Sequence, residues 1–328
     1  MASLPVAAEA RFKIPDGSQY VSRETLTSQL VKDTGLSAKE IRAVLKRATF
    51  RPNIIKQMNR QWEAQPYANY RPLFVKPIMR KKGLAYLKQN QAIFTQMEQH
   101  YHVDAAIIAA ILGIETRFGE SYGNKPVLDS LYTLSTGFPR RAAFFRQQLA
   151  AIIEITRQDH LQLDTLKGSY AGAFGSIQFI PTSFRQYAVD ADGDGIRDVF
   201  HSQADIIASV ANYFSRHHWQ QHRPAAYWLP VGTRLSRPWQ QIAKGKLNHW
   251  VSLAALRHDM PDILHALPAV WRDDDQVSII EMSTRHGRQF ALVHYNFYVI
   301  MRYNPSFNYA MAVTEIAAML EDQTFAVD

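Results

Sequence analysis

The chain has 328 residues, 47% of them hydrophobic, enough to bury a sizeable core in two or three domains, and helix-favouring residues outweigh strand formers. It contains no cysteine, which excludes disulfides and thiolate chemistry and fits an oxidising compartment such as the periplasm. A formal charge of +8 favours an anionic partner, but the basic residues are scattered and form no recognisable nucleic-acid module, so the partner expected is a cell-wall polymer or membrane surface.

No run of 18 apolar residues occurs, and the start lacks a basic region followed by an apolar core, so no transmembrane segment, signal or lipid anchor is expected in this chain. Residues 1–20 read as an extended leader. Ser22 opens a helix that stops before Gly35; Ser37 and Glu40 have the spacing of a capping box for a second helix, with Ile41, Val44, Leu45 and Ala48 inward. Pro52 starts a further segment. Tyr67 to Pro77, YANYRPLFVKP, is expected to be an extended connector packed on the body, with Tyr67, Tyr70 or Phe74 as alternative groove-lining groups. Gly83 to Tyr101 has the spacing of one amphipathic helix.

The stretch Val103 to Gly119, VDAAIIAAILGIETRFG, holds apolar or small residues and then one acid. On a helix Ile107, Ile111 and Glu115 share a face, so the Glu115 carboxyl lies in line with the apolar stripe. Lost hydration favours the neutral form and raises its pKa, the condition for a general acid near neutral pH. A structural ion pair, for instance with Arg117, is the competing reading. Glu120 and Asp129, the nearest acids downstream, sit in polar, Gly-rich surroundings and read as solvated or capping groups.

A short apolar helix is expected next, then a buried one beginning after Phe138-Pro139-Arg140-Arg141. Paired arginines at a helix start oppose the helix dipole unless an anion is near, which makes Arg140 and Arg141 candidates for a ligand's carboxylate or N-acetyl oxygen. In Lys167 to Phe184, KGSYAGAFGSIQFIPTSF, Gly168, Gly172 and Gly175 allow close backbone approach, while Ser169, Gln178 and Phe179 offer polar and stacking groups for a sugar. Asp190, Asp192 and Asp194 alternate with Gly195 sixth and Ile196 seventh, as in the first half of an EF-hand loop, although the twelfth position is His201. Three acids so close call for a cation. Asp205 to His218 reads as a helix bearing Tyr213, followed by surface histidines in HHW. Residues 223–275 change character, with Trp228 and Trp239 expected in the core of an inserted lobe, and Val277–Met282 with Gln289–Val293 read as a β-hairpin. Tyr309 to Leu320 forms the last helix.

Taken together, G-x-E-[ST]-x-[FY]-G around Glu115, the FPRR string, SYAGAFGSIQFIPTSF, the DxDxDG loop, SVANYF at 209–214 and RYNPSFNYAMA at 302–312 resemble the membrane-bound lytic transglycosylase B family of peptidoglycan-cleaving enzymes, over residue 70 to the end. The resemblance implies a mainly α fold: an N-terminal helical domain (1–95), a lysozyme-like helical core (96–222 and 294–328) and a small inserted strand-containing lobe (223–293). It implies Glu115 as the single catalytic carboxyl, with Arg140, Arg141, Ser169, Gln178, Phe179, Tyr213, Tyr303, Asn304 and Tyr309 along a glycan groove. A structural calcium would be held by Asp190, Asp192, Asp194, the Ile196 carbonyl and, one residue out of the family's spacing, Asp205. The implied reaction leaves a 1,6-anhydro-muramyl end, with a hydrolytic muramidase and an inactive calcium-stabilised wall-binding protein as alternatives. The expected setting is periplasmic, possibly outer-membrane associated in a native form, for a monomer acting on peptidoglycan strands.

Overall fold

Side chains start the first helices in the computed structural model, which describes residues 17–59, 65–265 and 267–321; most of the expected leader lies outside these. Ser22 Oγ accepts the Thr25 N–H at the head of α1 (Arg23–Thr34), and Gly35, at φ 71°, ends it. Ser37 and Glu40 close the expected capping box on α2 (Ala38–Lys46), where Ile41 and Leu45 are buried. The next helix, α3 (Pro52–Met58), begins on a proline, whose missing N–H is no loss in a first turn.

The expected connector at 67–77 is instead helical, α4 (Tyr67–Phe74), even with Pro72 inside it. Long-range bonds outweigh the local penalty. Tyr67 Oη and Arg71 Nε donate to the buried Glu315 carboxylate at 2.9 and 2.6 Å, and Trp228 Nε1 donates to the same group at 3.3 Å. The single helix expected at 83–101 is two, α5 (Pro77–Gln89) and α6 (Gln91–Tyr101), because Asn90 leaves helical geometry and its side chain bonds the Tyr86 carbonyl.

Helix α7 (Ala105–Thr116) is buried on nearly every face, which makes it a central helix rather than an amphipathic surface one. After strand β1 (Lys125–Pro126) come α8 (Val127–Gly137), buried throughout, and α9 (Ala142–Gln158) against it. Strand β2 (Lys167–Gly168) pairs antiparallel with β1, followed by α10 (Pro181–Tyr187) and α11 (Gln203–Arg216). The chain then builds β3 (Ala226–Trp228), α12 (Arg237–Lys244), β4 (Val251–Ser252), α13 (Leu253–Asp259), α14 (Pro261–Leu264), β5 (Gln276–Thr284) and β6 (Gly287–His294). Helix α15 (Tyr295–Tyr303) and the almost wholly buried α16 (Phe307–Leu320), capped by Ser306 Oγ on the Tyr309 N–H, complete it. Helices α7 and α16 lie against each other.

The four longer-range strands form an antiparallel sheet in the order β3-β6-β5-β4. Its two faces serve different cores. Val277, Ile279, Phe290 and Leu292 join Trp239 and α12 to α14 in a small core, whereas Ile280, Met282, Ala291 and Val293 pack into the main helical one. Burial on both faces explains why this hairpin reads as apolar runs rather than clean alternation. Trp239 fills the lobe as expected, but Trp228 belongs to the main core. The result is mainly α with a small antiparallel sheet, as the composition predicts.

Candidate active site

Glu115 lies in the last turn of α7, where the chain reverses through three left-handed residues, Arg117, Phe118 and Gly119. The Phe118 N–H reaches back to the Leu112 carbonyl and the Arg117 N–H to that of Gly113, both at 3.0 Å, so the helix stops one turn past its apolar stripe. Thr116 Oγ1 donates to the Ser176 carbonyl at 3.0 Å and accepts the Gly119 N–H at 3.1 Å. The acid is thereby fixed against the Gly-rich 167–184 segment.

The competing ion pair is absent: among the described residues Glu115 has no cationic partner, and Arg117 is exposed. Its one hydrogen bond is accepted by Oε1 from the Tyr309 hydroxyl at 2.6 Å. Burial of the carboxyl raises its pKa to about 7, and the Tyr309 bond, which favours the ionised form, offsets only part of that. Glu115 as a whole residue still keeps a partly open surface. A carboxyl that is shielded yet reachable is what a general acid requires.

Around it stands a wall of rings. Tyr303, at the end of α15, donates to the Ile177 carbonyl, lies 5.5 Å from Phe179 and 4.8 Å from Tyr213 between centroids, and feels the Glu115 charge. Tyr213 donates to the Arg302 carbonyl and stacks on His217 at 4.2 Å. Burial holds Tyr303 and Tyr309 well above the usual phenol range, so both remain neutral hydroxyls near pH 7. The structure thus joins Glu115, Phe179, Tyr213, Tyr303 and Tyr309 through contacts.

The other expected groove residues hold different positions. Gln178, at φ 47°, spends its Nε2 on the Tyr122 and Gly175 carbonyls at 3.1 and 2.9 Å, shaping the loop. Ser169 Oγ accepts the Ala171 and Ala173 N–H groups, which leaves its own O–H to donate. Asn304 is half-buried just beyond α15. Arg140 and Arg141 are exposed on the turn before α9, with the Arg141 guanidinium 4.2 Å from the Phe144 ring centre, and neither has an acidic partner among the described residues. Tyr122, Thr116 and Tyr187 were not foreseen as part of this framework. Only the adjacency of Thr116 to the acid and of Tyr122 to Gly123 could have pointed to the first two.

The glycines are demanded by the packing. At Gly123, φ 85°, a Cβ would sit 2.3 Å from the Gly168 carbonyl oxygen. Gly123→Ala is expected to lower stability by roughly 2–3 kcal/mol, from backbone strain and displaced strands, as read by denaturant unfolding.

Of the nearby acids, Asp129 is neither solvated nor a helix cap: it is buried and accepts the Thr49 N–H and Arg51 Nε at 2.8 and 2.6 Å. Glu120 is exposed and pairs with Lys82. Near α11, oxygens of Asp190, Asp192 and Asp194 lie within 4.8 Å of one another, placed to share one metal ion. Asp190 accepts the Gly193 and Gly195 N–H groups, both at 2.8 Å, and Asp194 that of Ile196 at 2.8 Å. Asp205 is fully buried and braces the loop ends, accepting the Ala191 and Asp198 N–H groups at 2.7 Å each. An all-carboxylate donor set fits a hard cation, and mutual repulsion of the acids favours binding one.

The family model described as transglycosylase SLT domain matches residues 19–318. Membrane-bound lytic murein transglycosylase B of Escherichia coli (strain K12) is 30% identical over 319 residues, 92% of this chain and 81% of that protein. An Escherichia coli lytic transglycosylase structure in complex with calcium superposes with a TM-score of 0.79 at 30% identity, covering 91% of this chain and 92% of that one. SltB3 from Pseudomonas aeruginosa in complex with NAG-anhNAM-pentapeptide gives 0.80 at 30% identity, covering 93% and 81%. No helix among the described residues is long and apolar enough to cross a membrane. With the family match running across nearly the whole helical body and the sheet lobe, this chain belongs to the membrane-bound lytic transglycosylase B family.

Proposed function

We propose that the chain cleaves the β-1,4 bond between N-acetylmuramic acid and N-acetylglucosamine in peptidoglycan, with Glu115 as its only acid and base. The observation that carries this is an isolated carboxyl, raised to about 7 by burial and oriented by a neutral hydroxyl rather than neutralised by a cation. Protonated Glu115 gives its proton to the glycosidic oxygen as the bond to the muramyl C1 breaks. The resulting carboxylate takes the proton of the muramyl C6 hydroxyl, whose oxygen closes on C1 to form the 1,6-anhydro ring. No water is consumed. A two-carboxylate glycosidase would need a partner acid roughly 5–9.5 Å away. The nearest acids in sequence are both engaged elsewhere, Asp129 with Arg51 and Glu120 with Lys82.

The ring wall of Phe179, Tyr213 and Tyr303 would flank the sugars, with Ser169, Gln178 and Asn304 near their polar groups and Arg140 and Arg141 at the rim. The anhydro sugar named in the SltB3 complex supports the same product. We assign the chemistry to residues 96–222 and 294–328, with 1–95 and 223–293 as flanking domain and lobe, acting as a monomer in the periplasm. Digestion of purified sacculi tests the reaction. The main muropeptides should be lighter by one water than those of a muramidase; reducing ends would mark hydrolysis, and intact sacculi with retained binding would mark a wall-binding protein.

Asp190, Asp192, Asp194 and the Ile196 carbonyl would hold a calcium ion, which Asp205 supports from behind by fixing the loop backbone. Its role would be structural, since no step above routes charge through that loop. Chelation is therefore expected to lower Tm by several degrees while leaving kcat at 25 °C within about twofold, the shift reversing when calcium is restored.

A further inference from the structure

Two of the five large hydrophobic side chains exposed among the described residues, Leu73 and Ile78, flank one corner of the chain, each 49% exposed. Leu73 lies in the last turn of α4 and Ile78 in the first turn of α5, while Val75 and Met79 beside them are buried. Along α5, Ile78, Lys81, Ala85 and Lys88 are all exposed, and their helical spacing puts them on one outward face. The opposite face is fixed. Gly83 is buried against Leu320 and Phe118, and Lys82 at the border pairs with Glu120 at 2.5 Å.

The charge around this corner has one sign. Residues 64–97 hold six cations and no acid. Arg71 is engaged by the buried Glu315, Lys82 by Glu120, and Arg80 reaches the Met319 carbonyl at 3.0 Å, whereas Lys76, Lys81 and Lys88 are exposed and have no partner among the described residues. Lysine is depleted at the core of protein–protein interfaces, but lysine beside leucine or isoleucine on an exposed helix surface is the composition that holds a helix at an anionic bilayer. We propose that the α4–α5 corner docks on an anionic lipid surface, Leu73 and Ile78 entering the headgroup layer while Lys76, Lys81 and Lys88 meet lipid phosphates. The contact is made by the folded surface and does not depend on the reaction proposed above. Because α5 is held to the turn after α7 through Phe118 and Glu120, docking would keep Glu115 at a set height over the lipid.

The test is flotation of the full chain with vesicles of phosphatidylglycerol and phosphatidylcholine, against phosphatidylcholine alone, at low and high salt. The native protein is expected to float only with the anionic vesicles and to be released by high salt. Lys76→Gln with Lys81→Gln should weaken binding about 30-fold, at roughly fivefold for each lysine lost. Leu73→Ser with Ile78→Ser should weaken it about tenfold. Lys244→Gln with Lys246→Gln, which removes the same charge at the end of α12, should leave binding within about twofold. All six side chains are exposed, so equal Tm values exclude unfolding as the cause. Absence of flotation with the anionic vesicles overturns the inference and leaves the corner to an acidic protein or a wall polymer. Equal losses in the two lysine pairs overturn it as well, because net charge alone would then carry the binding, and unaltered binding in the serine variant overturns the entry of the aliphatic pair. Release of anhydro-muropeptides from soluble strands should be the same in the native protein and in Lys76→Gln with Lys81→Gln; a parallel loss there would assign the lysines to strand binding instead. Flotation needs no turnover, so its failure and the failure of the transglycosylase reading are seen separately.

Discussion

Glu115→Gln is expected to lower kcat/KM on peptidoglycan strands by about 10³–10⁴-fold while leaving strand binding within a few fold. General acid or base action by one side chain contributes typically about 10²–10⁴ to a rate, and here one group serves as both, so the loss should fall at the upper end. The substitution is a clean one. Tyr309 donates to Glu115 Oε1, and a glutamine carbonyl oxygen can accept the same 2.6 Å bond, so the orienting contact survives while the exchangeable proton does not. No cation faces the carboxyl among the described residues, so neutralising it strands no partner charge. Rates would be followed by release of soluble anhydro-muropeptides. Retention of more than a tenth of native kcat/KM would remove Glu115 from the chemistry. Loss of binding together with rate would instead assign it to the groove wall.

Glu115 was legible in the sequence because an acid at the end of a twelve-residue apolar helix breaks the amphipathic rule, and the rule is local. Its partner was legible only through family resemblance. Tyr309 stands 194 positions away, and nothing in the spacing around either residue announces the hydrogen bond. The capping box at Ser37 and Glu40 and the hairpin at β5 and β6 are likewise local features and were read correctly. Helix α4 shows the opposite case: its prolines argue against helix within a window of ten residues, but Tyr67 and Arg71 are anchored on Glu315, 248 and 244 positions on. Asp129 was misjudged for the same reason, since the Thr49 N–H and Arg51 that hold it come from a distant segment. Local patterns therefore located the buried acid, and distant contacts decided how it and its neighbours are held.

Activity and stability should both fall with rising pH through this one carboxyl. For the proposed step the acid must be protonated to give its proton to the glycosidic oxygen, and its pKa is about 7, so kcat/KM is expected to be level at pH values well below 7 and to approach a tenfold fall per unit well above it. Tyr309→Phe removes the bond that favours the ionised form; the descending limb should move to higher pH, with kcat reduced because the carboxyl is no longer oriented. For stability the sign follows from linkage. The folded pKa lies above the ordinary glutamate value of 4.5, so the folded state binds the proton more tightly than the unfolded chain, and the stability that this proton confers is full below pH 4.5 and lost as pH rises through about 7. The loss amounts to up to about 3 kcal/mol at 1.36 kcal/mol per pH unit. Glu321 also titrates near 7, chiefly through burial and then the nearby Asp104 and Glu98, so the total curve mixes two groups. The difference between native protein and Glu115→Gln isolates one of them. It should widen between pH 5 and 8 in favour of the variant, in unfolding curves taken at each pH. A difference that stays flat would mean that the carboxyl is hydrated in solution, and the descending limb of kcat/KM would then have to appear near the ordinary carboxylate range instead.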